Sequence, residues 1–168
     1  MILGRGLAAA AIAAGLDQAS KALVLAYFGE TGCASHRAVA TSFLDLVLTC
    51  NRGVSFGLFD RTGLNALVFS VGAALVVVML LFWLTRIRAT FLAIAIGLII
   101  GGAVGNVIDR LRFGGVIDFL YFHLGAWYWP AFNLADSAIC LGVAAMLLDG
   151  LLLRRPAPPA KRGEDLRP

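Results

Sequence analysis

Two charge-free apolar windows constrain this chain more than any other feature of its sequence. Residues 64–84 and residues 89–108 contain no Asp, Glu, Lys or Arg. Each window is long enough to cross the hydrocarbon of a bilayer, which takes about 20 residues of α-helix. A short segment that holds Arg86 and Arg88 connects them. The pattern predicts two transmembrane helices joined by a tight turn.

Two further apolar windows carry isolated charges. Residues 7–28 contain Asp17 and Lys21, and residues 132–153 contain Asp136 and Asp149. Because apolar residues resume after Lys21, where a secretory signal would have its cleavage region, residues 7–28 fit an uncleaved helix better. We therefore expect an all-α membrane protein with four transmembrane helices, at about 7–28, 64–84, 89–108 and 132–153.

The composition argues against the water-soluble classes. Hydrophobic residues make up 60% of the chain and charged residues 14%, and the mean hydropathy is +0.87. Soluble domains carry roughly 25% charged residues. A soluble enzyme, a disordered chain and a disulfide-framed miniprotein are therefore disfavoured. The net charge of +4 fits cationic loops beside a bilayer better than a nucleic-acid partner.

The distribution of basic residues predicts the orientation. In a four-helix arrangement one side holds eight of them: Arg5, Arg86, Arg88, Arg154, Arg155, Lys161, Arg162 and Arg167. The other side holds five: Arg37, Arg52, Arg61, Arg110 and Arg112. Because cytoplasmic loops carry the excess of Lys and Arg, both termini should be cytoplasmic. Residues 1–153 form the expected membrane domain, and the Pro- and Arg-rich residues 154–168 a disordered cytoplasmic tail.

Two segments on the outer side have patterns of their own. In residues 42–59, alternating leucines are followed by the turn residues 51–53 and a second apolar stretch, which predicts a small β-hairpin or curled sheet. Residues 119–129 hold six aromatic side chains. Because aromatic residues concentrate at the headgroup level, this segment should lie along the outer membrane surface.

The three cysteines give no metal or redox motif. Cys33, Cys50 and Cys140 form no CxxC pair, and no histidine lies at metal-ligand spacing from them. Cys33 and Cys50 could pair if their side is oxidising, but free thiols are the expectation, with Cys140 buried in the fourth helix. No metal and no organic cofactor is expected.

Polar residues at membrane depth are candidates for function because ionisable groups are costly in hydrocarbon. Asp118 follows the third helix. Asn133 and Asp136 share a face of the fourth helix by their i, i+3 spacing, and Asn106 and Arg110 share a face of the third by i, i+4. All five should lie near the outer boundary of the membrane.

Other polar residues have two possible explanations. Asp17 and Lys21, on one face of the first helix, are either a buried ion pair or a direct contact to substrate. Asp109 and Arg110 are either an ordinary interfacial charge pair or functional residues. The Asn51-Arg52-Gly53 segment needs only turn chemistry, although its Asn side chain could also reach a substrate.

Asp118 and Asp136 are the strongest pair for catalysis. Two close carboxyl groups in a pocket of low dielectric share a proton because both cannot ionise. The ionised one can take a proton from water while the other donates to a carbonyl oxygen, which hydrolyses an amide. The sequence has no HExxH motif, and its two histidines, His36 and His123, lie far apart.

Five ordered blocks of the chain resemble the bacterial lipoprotein signal peptidase (signal peptidase II) family of aspartyl intramembrane peptidases. They are residues 17–21 (DQASK), 51–56 (NRGVSF), 101–110 (GGAVGNVIDR), 115–119 (GVIDF) and 132–136 (FNLAD). The resemblance implies a catalytic dyad of Asp118 and Asp136. It also implies supporting or substrate-binding roles for Asn51, Gly53, Asn106, Arg110, Asn133, Asp17 and Lys21.

The resemblance carries further implications for fold and substrate. It implies a periplasmic β-cradle and a short periplasmic helix, which the segments 42–59 and 119–129 would supply. The expected substrate is a prolipoprotein whose cysteine bears diacylglycerol, cut on the amino side of that cysteine at the periplasmic face of the bacterial inner membrane. The expected partners are this substrate and membrane lipid, and the chain should be a monomer.

Three alternatives compete with a peptidase. A proton-coupled transporter or channel subunit would spread ionisable groups through the full membrane depth, whereas these lie mostly in the outer half. A presenilin-type protease would carry YD and GxGD patterns, which are missing from this sequence. A structural membrane subunit would leave the two aspartates unexplained.

Overall fold

The computed structural model of the chain describes residues 1–53 and 64–153. Its helices are α1 (Ile2–Phe28), α2 (Leu64–Leu84), α3 (Thr90–Phe113) and α4 (Leu134–Leu148), and a π-helical turn (Asp149–Leu153) follows α4. Helices α1, α2 and α3, and α4 together with this turn, are long and apolar enough to cross a membrane. The expectation of four transmembrane helices is confirmed, although α1 begins earlier and α3 ends later than predicted. The predicted tail, residues 154–168, lies outside the described residues.

Helix α3 is the centre of the bundle and contacts α1, α2 and α4. In the apolar window of α3, 67% of the residues are buried, whereas 17% are buried in that of α2. Small residues allow its neighbours to approach closely. A Cβ atom at Gly101 would lie 2.7 Å from the Cβ of Ala13 in α1, and one at Gly102 would lie 2.8 Å from Cγ1 of Ile139 in α4. Close backbone approach of this kind is the usual basis of helix association in lipid.

A four-stranded antiparallel sheet lies at one end of the bundle. Its strands are β1 (His36–Val39), β2 (Leu44–Asn51), β3 (Val116–Leu124) and β4 (Trp127–Tyr128), in the order β1-β2-β3-β4. The strand β1 comes after α1, and β3 comes directly after α3. Both helices end at glycines in the left-handed conformation, Gly29 (φ 69°) and Gly114 (φ 72°), which turn the chain into the sheet. This end of the bundle is called the sheet end below.

The core has two parts. One cluster lies among the helices and includes Leu84 and Ile96. The other joins the last turns of α1 to the sheet and includes Val24, Leu48 and Ile117. The second cluster anchors the sheet to the bundle by apolar burial.

The sheet differs from the predicted one in its pairing. The β2 strand falls within the predicted segment 42–59, but it pairs with β1 and β3. Residues 54–59, the second half of the predicted hairpin, lie outside the described residues. The aromatic segment 119–129, expected to supply a short helix, instead forms most of β3 and all of β4. Aromatic residues favour strands wherever a neighbouring strand is present, and β2 provides it. Residues 1–53 and 64–153 contain no short interfacial helix.

The expectations of free thiols at Cys33 and Cys50 and of a buried Cys140 are wrong. Cys33 and Cys50 form a disulfide, with their Cα atoms 5.2 Å apart. The register pairs His36 with Leu48, so the chain before β1 runs beside the end of β2 and brings the two thiols together. Cys140 is free but exposed on α4 rather than buried, because it lies on the face of that helix turned away from the bundle.

The contact between α1 and α3 predicts how two glycines respond to substitution. In Gly101→Ala the new methyl group meets the backbone oxygen of Ala10, and overpacking of this kind costs about 1–3 kcal/mol. Gly15→Ala is the matched control, because nothing lies within 4 Å of a Cβ there and alanine favours the helix by about 1 kcal/mol. Thermal unfolding in detergent should therefore give a lower Tm for Gly101→Ala and an equal or higher Tm for Gly15→Ala. Equal Tm values for the two variants would contradict this packing.

Candidate active site at the sheet end

Asp118 lies on β3 with its side chain 2% exposed. The register between β2 and β3 shifts between Leu46 and Thr49, and this irregularity places Asp118 opposite Thr49. Bulges commonly re-aim a side chain beside a functional site. The amide nitrogen of Asn133 donates to Oδ1 of Asp118 at 2.7 Å, and that of Asn51 donates to Oδ2 at 3.1 Å. Both carboxylate oxygens therefore have partners.

Asp136 lies in the first turn of α4, where it forms a capping box with Asn133. The backbone nitrogen of Asp136 donates to Oδ1 of Asn133 at 2.9 Å, and the backbone nitrogen of Asn133 lies 3.4 Å from Oδ2 of Asp136. The amide of Asn106 donates to Oδ1 of Asp136 at 2.9 Å. The start of a helix also favours a negative charge.

Two asparagines connect the aspartates. Asn133 donates to Asp118, Asn106 donates to Asp136, and the amide nitrogen of Asn133 lies 3.3 Å from Oδ1 of Asn106. Asn133 is fully buried and Asn106 nearly so. The structure thus gathers these four candidate residues, from α3, β3 and the start of α4, into one hydrogen-bonded cluster.

The cluster changes the acidity of Asp118. Burial raises the pKa of its carboxyl group from 3.8 to about 6, and the neighbouring charge of Asp136 adds to the rise. The hydrogen bonds from Asn51 and Asn133 act in the opposite direction. A carboxyl group with such a pKa can hold or release a proton near neutral pH, as a general acid or base requires.

Asp17 and Lys21 form a buried ion pair behind the aspartates. The Nζ atom of Lys21 lies 2.8 Å from Oδ2 of Asp17 and 2.7 Å from Oδ2 of Asp109, and all three side chains are buried. Oδ1 of Asp17 accepts a hydrogen bond from the backbone nitrogen of Ala135 in α4. Lys21 also reaches Oδ1 of Asn106 at 3.4 Å. This geometry supports the ion-pair explanation, with one amide between Lys21 and Asp136.

Asp109 and Gln18 also belong to this buried network, although neither is among the residues that the family resemblance marks as supporting. Asp109, for which an interfacial charge pair was one expectation, is fully buried. Its Oδ1 accepts from Gln18 at 2.8 Å, and its Oδ2 accepts from the backbone nitrogen of Ile117, next to Asp118, at 3.1 Å. The i, i+3 spacing from Asn106 to Asp109 could have indicated that both lie on one helix face.

The remaining candidates border the cluster. Asn51 has the turn role considered for it, because its Oδ1 accepts from the backbone nitrogen of Gly53 at 3.0 Å. Its amide also donates to Asp118. Gly53 has φ 100°, which favours glycine, and a Cβ there would collide with Phe69. Arg110 donates to the backbone oxygen of Asn106 at 3.3 Å, and its guanidinium lies 5.8 Å from the ring centre of Phe69.

A groove of about 480 Å³ opens between α2, α3 and α4 and reaches this cluster. Most of its lining is apolar, and its polar side chains are those of Asn106 and Arg110. The lining residues are Val68, Phe69, Gly72, Ala73, Ala103, Asn106, Arg110 and Ile139. Among residues 1–53 and 64–153, no group of three His, Cys, Asp or Glu side chains is placed to hold a metal ion.

Known proteins resemble this chain over most of its length. A family model described as signal peptidase (SPase) II matches residues 9–152. A lipoprotein signal peptidase of Methylorubrum extorquens (strain PA1) is 44% identical over 156 residues, which are 92% of this chain and 88% of that protein. One from Azoarcus sp. (strain BH72) is 48% identical over 142 residues, which are 82% and 77%. A solved bacterial membrane enzyme aligns with a TM-score of 0.72 at 25% identity and covers 89% of this chain and 94% of its own.

The raised pKa of Asp118 predicts a pH-dependent effect of Asp118→Asn on stability. The unfolded carboxyl group ionises near 3.8 and the folded one near 6, so the native state binds the proton more tightly. Stability of the wild-type protein should therefore fall as the pH rises from about 4 to above 6, by about 3 kcal/mol at most. The asparagine side chain does not ionise, so the stability of Asp118→Asn lacks this pH dependence.

The measurement is Tm in detergent from pH 4 to pH 8 for both proteins. The Tm of Asp118→Asn relative to wild type should rise across that range. A constant Tm difference would show that the carboxyl group titrates normally.

Proposed function

Since this chain belongs to the signal peptidase (SPase) II family, we propose that Asp118 and Asp136 activate a water molecule to cut diacylglyceryl-modified prolipoproteins beside the lipidated cysteine. Because it belongs to this family, the chain is a membrane-embedded protease that removes signal peptides from prolipoproteins. The observation that carries the proposed mechanism is the pair of linked asparagines, each of which donates to one of the two aspartates.

The first step is attack by water on the scissile carbonyl. Asp118, whose raised pKa of about 6 lets it hold a proton at higher pH than an ordinary carboxyl group, gives its proton to the carbonyl oxygen. Asp136, at the start of α4 where negative charge is favoured, takes a proton from the water molecule. The water oxygen then bonds to the carbonyl carbon, which gives a neutral tetrahedral intermediate.

The second step breaks the carbon–nitrogen bond. The leaving nitrogen takes the proton that Asp136 has gained, and the hydroxyl proton of the intermediate returns to Asp118. The products are a carboxylic acid on the signal peptide and a free amino group on the lipidated cysteine. The dyad ends with one proton, as it began, so the cycle needs no cofactor.

The proposed roles of the other residues follow from their positions. Asn51, Asn106 and Asn133 hold the carboxyl groups in place through their hydrogen bonds. Lys21 and Asp17 fix α1 against α3 and against the start of α4. Arg110 borders the groove, and Gly53 lies in the turn after Asn51. The substrate would pass both residues.

The substrate reaches the dyad from the membrane. The apolar groove between α2, α3 and α4 is open on its side, so a signal helix and its lipid can enter between the helices. In the proposed orientation both termini are cytoplasmic and the sheet end lies at the periplasmic face of the inner membrane. A diacylglyceryl group would then hold the scissile bond at headgroup depth, beside Asp118. One chain contains every group that this mechanism uses, so it can act as a monomer.

A lipidated and an unlipidated prolipoprotein, incubated with the protein in lipid vesicles, test this proposal. Cleavage of the lipidated form alone supports the proposed substrate. Cleavage of both forms would show that the lipid on the substrate is not required. Cleavage of neither would favour transport as the function.

Loss of either aspartate should abolish cleavage in this assay. Asp118→Asn and Asp136→Asn each remove a proton donor or acceptor and should slow kcat roughly 100- to 10,000-fold, while insertion into the membrane is unchanged. Asp149→Asn is the matched control, because it makes the same substitution at the opposite end of α4. Substantial residual activity in either dyad variant would exclude that residue from the mechanism.

A further inference from the structure

We propose that the disulfide between Cys33 and Cys50 is a positioning element for catalysis, which holds the end of β2 so that Asn51 keeps its hydrogen bond to Asp118. The bond joins the segment between α1 and β1 to the residue directly before Asn51. This inference rests on the proposed function, because it assigns a consequence to the catalytic role of Asp118.

The end of β2 has a neighbouring strand on one side only. The pairing of β1 with β2 runs from Asp45 to Leu48 and goes no further. Residues 49–51 pair with β3 alone among the described strands, and Asn51 is the last residue of its strand. A strand end with one neighbour frays easily. The disulfide lies where the continuation of β1 would lie and fixes the strand end in its place.

The disulfide and the active site lie on opposite faces of the sheet. Successive side chains of a strand point to opposite faces, so Cys50 faces away from Asn51. On the face of Cys50, Cys33 packs against the buried cluster that contains Leu48 and Ile117. The bond therefore ties the strand to the core from behind and leaves the side of Asp118 free.

Cys50 also packs tightly at the start of β3. A Cβ atom at Gly115 would lie 2.6 Å from Sγ of Cys50 and 3.3 Å from the backbone oxygen of Asn51. The sulfur thus fills the space beside the backbone that leads to Asp118. A change at this sulfur is transmitted directly to the two strands that hold Asn51 and Asp118.

The pH profile reports whether Asn51 stays in place. The charged groups that act on Asp118 are Asp136 from α4, Lys21 from α1 and Arg110 from α3, and none of them is on β2. The hydrogen bond from Asn51 lowers the pKa of Asp118. Loosening of Asn51 should therefore raise this pKa and move the alkaline limb of the kcat profile to higher pH.

Reduction of the folded protein tests the assignment without a substitution. The full chain in vesicles cleaves a lipidated prolipoprotein before and after treatment with dithiothreitol, which supplies two electrons and two protons to the S–S bond and becomes a cyclic disulfide. The thioether of the substrate cysteine is not cleaved by this reagent. Maleimide labelling should modify Cys33 and Cys50 only after reduction. The labelling is done in the Cys140→Ser variant, which lacks the free thiol. The cleavage activity of this variant before reduction is the control.

We expect reduction to lower kcat about tenfold, the effect of one hydrogen bond to a charged group, with KM changed by less than about twofold. The alkaline limb should move to higher pH. Cleavage that is indifferent to reduction, with both thiols labelled, would overturn this assignment alone. If the oxidised protein cleaves no lipidated prolipoprotein, the proposed function fails and the assignment fails with it.

A double-mutant cycle separates positioning from general loosening of the fold. Cys33→Ala/Cys50→Ala and Asn51→Ala should each lower kcat to a similar extent, and the triple variant should lose little more, because all three remove the same hydrogen bond. Losses that multiply in the triple variant would show that the disulfide acts independently of Asn51. If the double cysteine variant does not fold, reduction of Asn51→Ala gives the same comparison.

Discussion

The ion pairs of Lys21 with Asp17 and Asp109 are the interaction on which the rest of this structure depends. A charge inside a membrane helix bundle is stable only when the protein supplies its partners. Here one ammonium group lies between two buried carboxylates from α1 and α3, and Asp17 also binds the backbone at the start of α4. The network joins three helices beside Asp118 and Asp136, the proposed catalytic pair.

The side chains that donate to Asp118 and Asp136 are amides, which suits a pair of groups that we propose to exchange protons. An amide side chain can donate to an ionised carboxylate and accept from a protonated one, whereas an ammonium group can only donate. A lysine in direct contact with Asp136 would favour its ionised form and oppose its uptake of a proton from water. Lys21 instead reaches Asn106, whose amide contacts Asp136. One amide therefore separates the charge of Lys21 from Asp136, the proposed catalytic base.

The sequence predicts those parts of the molecule that depend on local spacing. Long apolar windows identify the helices, and the i, i+3 spacing of Asn133 and Asp136 places them on one turn of α4. The strand pairing, the disulfide and the burial of Asp109 depend on contacts between distant segments. The hydrogen bond from Asn51 to Asp118, for example, spans 67 positions of the chain. Neither residue type nor periodicity encodes such a contact, and the resemblance to a family implied only a supporting or substrate-binding role for Asn51.

Helix packing and the candidate active site both depend on close backbone contact and polar bonds between helices. In lipid, apolar faces gain little by meeting each other, so helices associate through close backbone contact and polar bonds. Gly105 of α3 joins the two requirements, because a Cβ there would collide with the carboxylate of Asp17. The absence of a side chain lets α1 approach and leaves room for the buried charge. The same glycine therefore serves both the close approach of α1 to α3 and the burial of the ion pair.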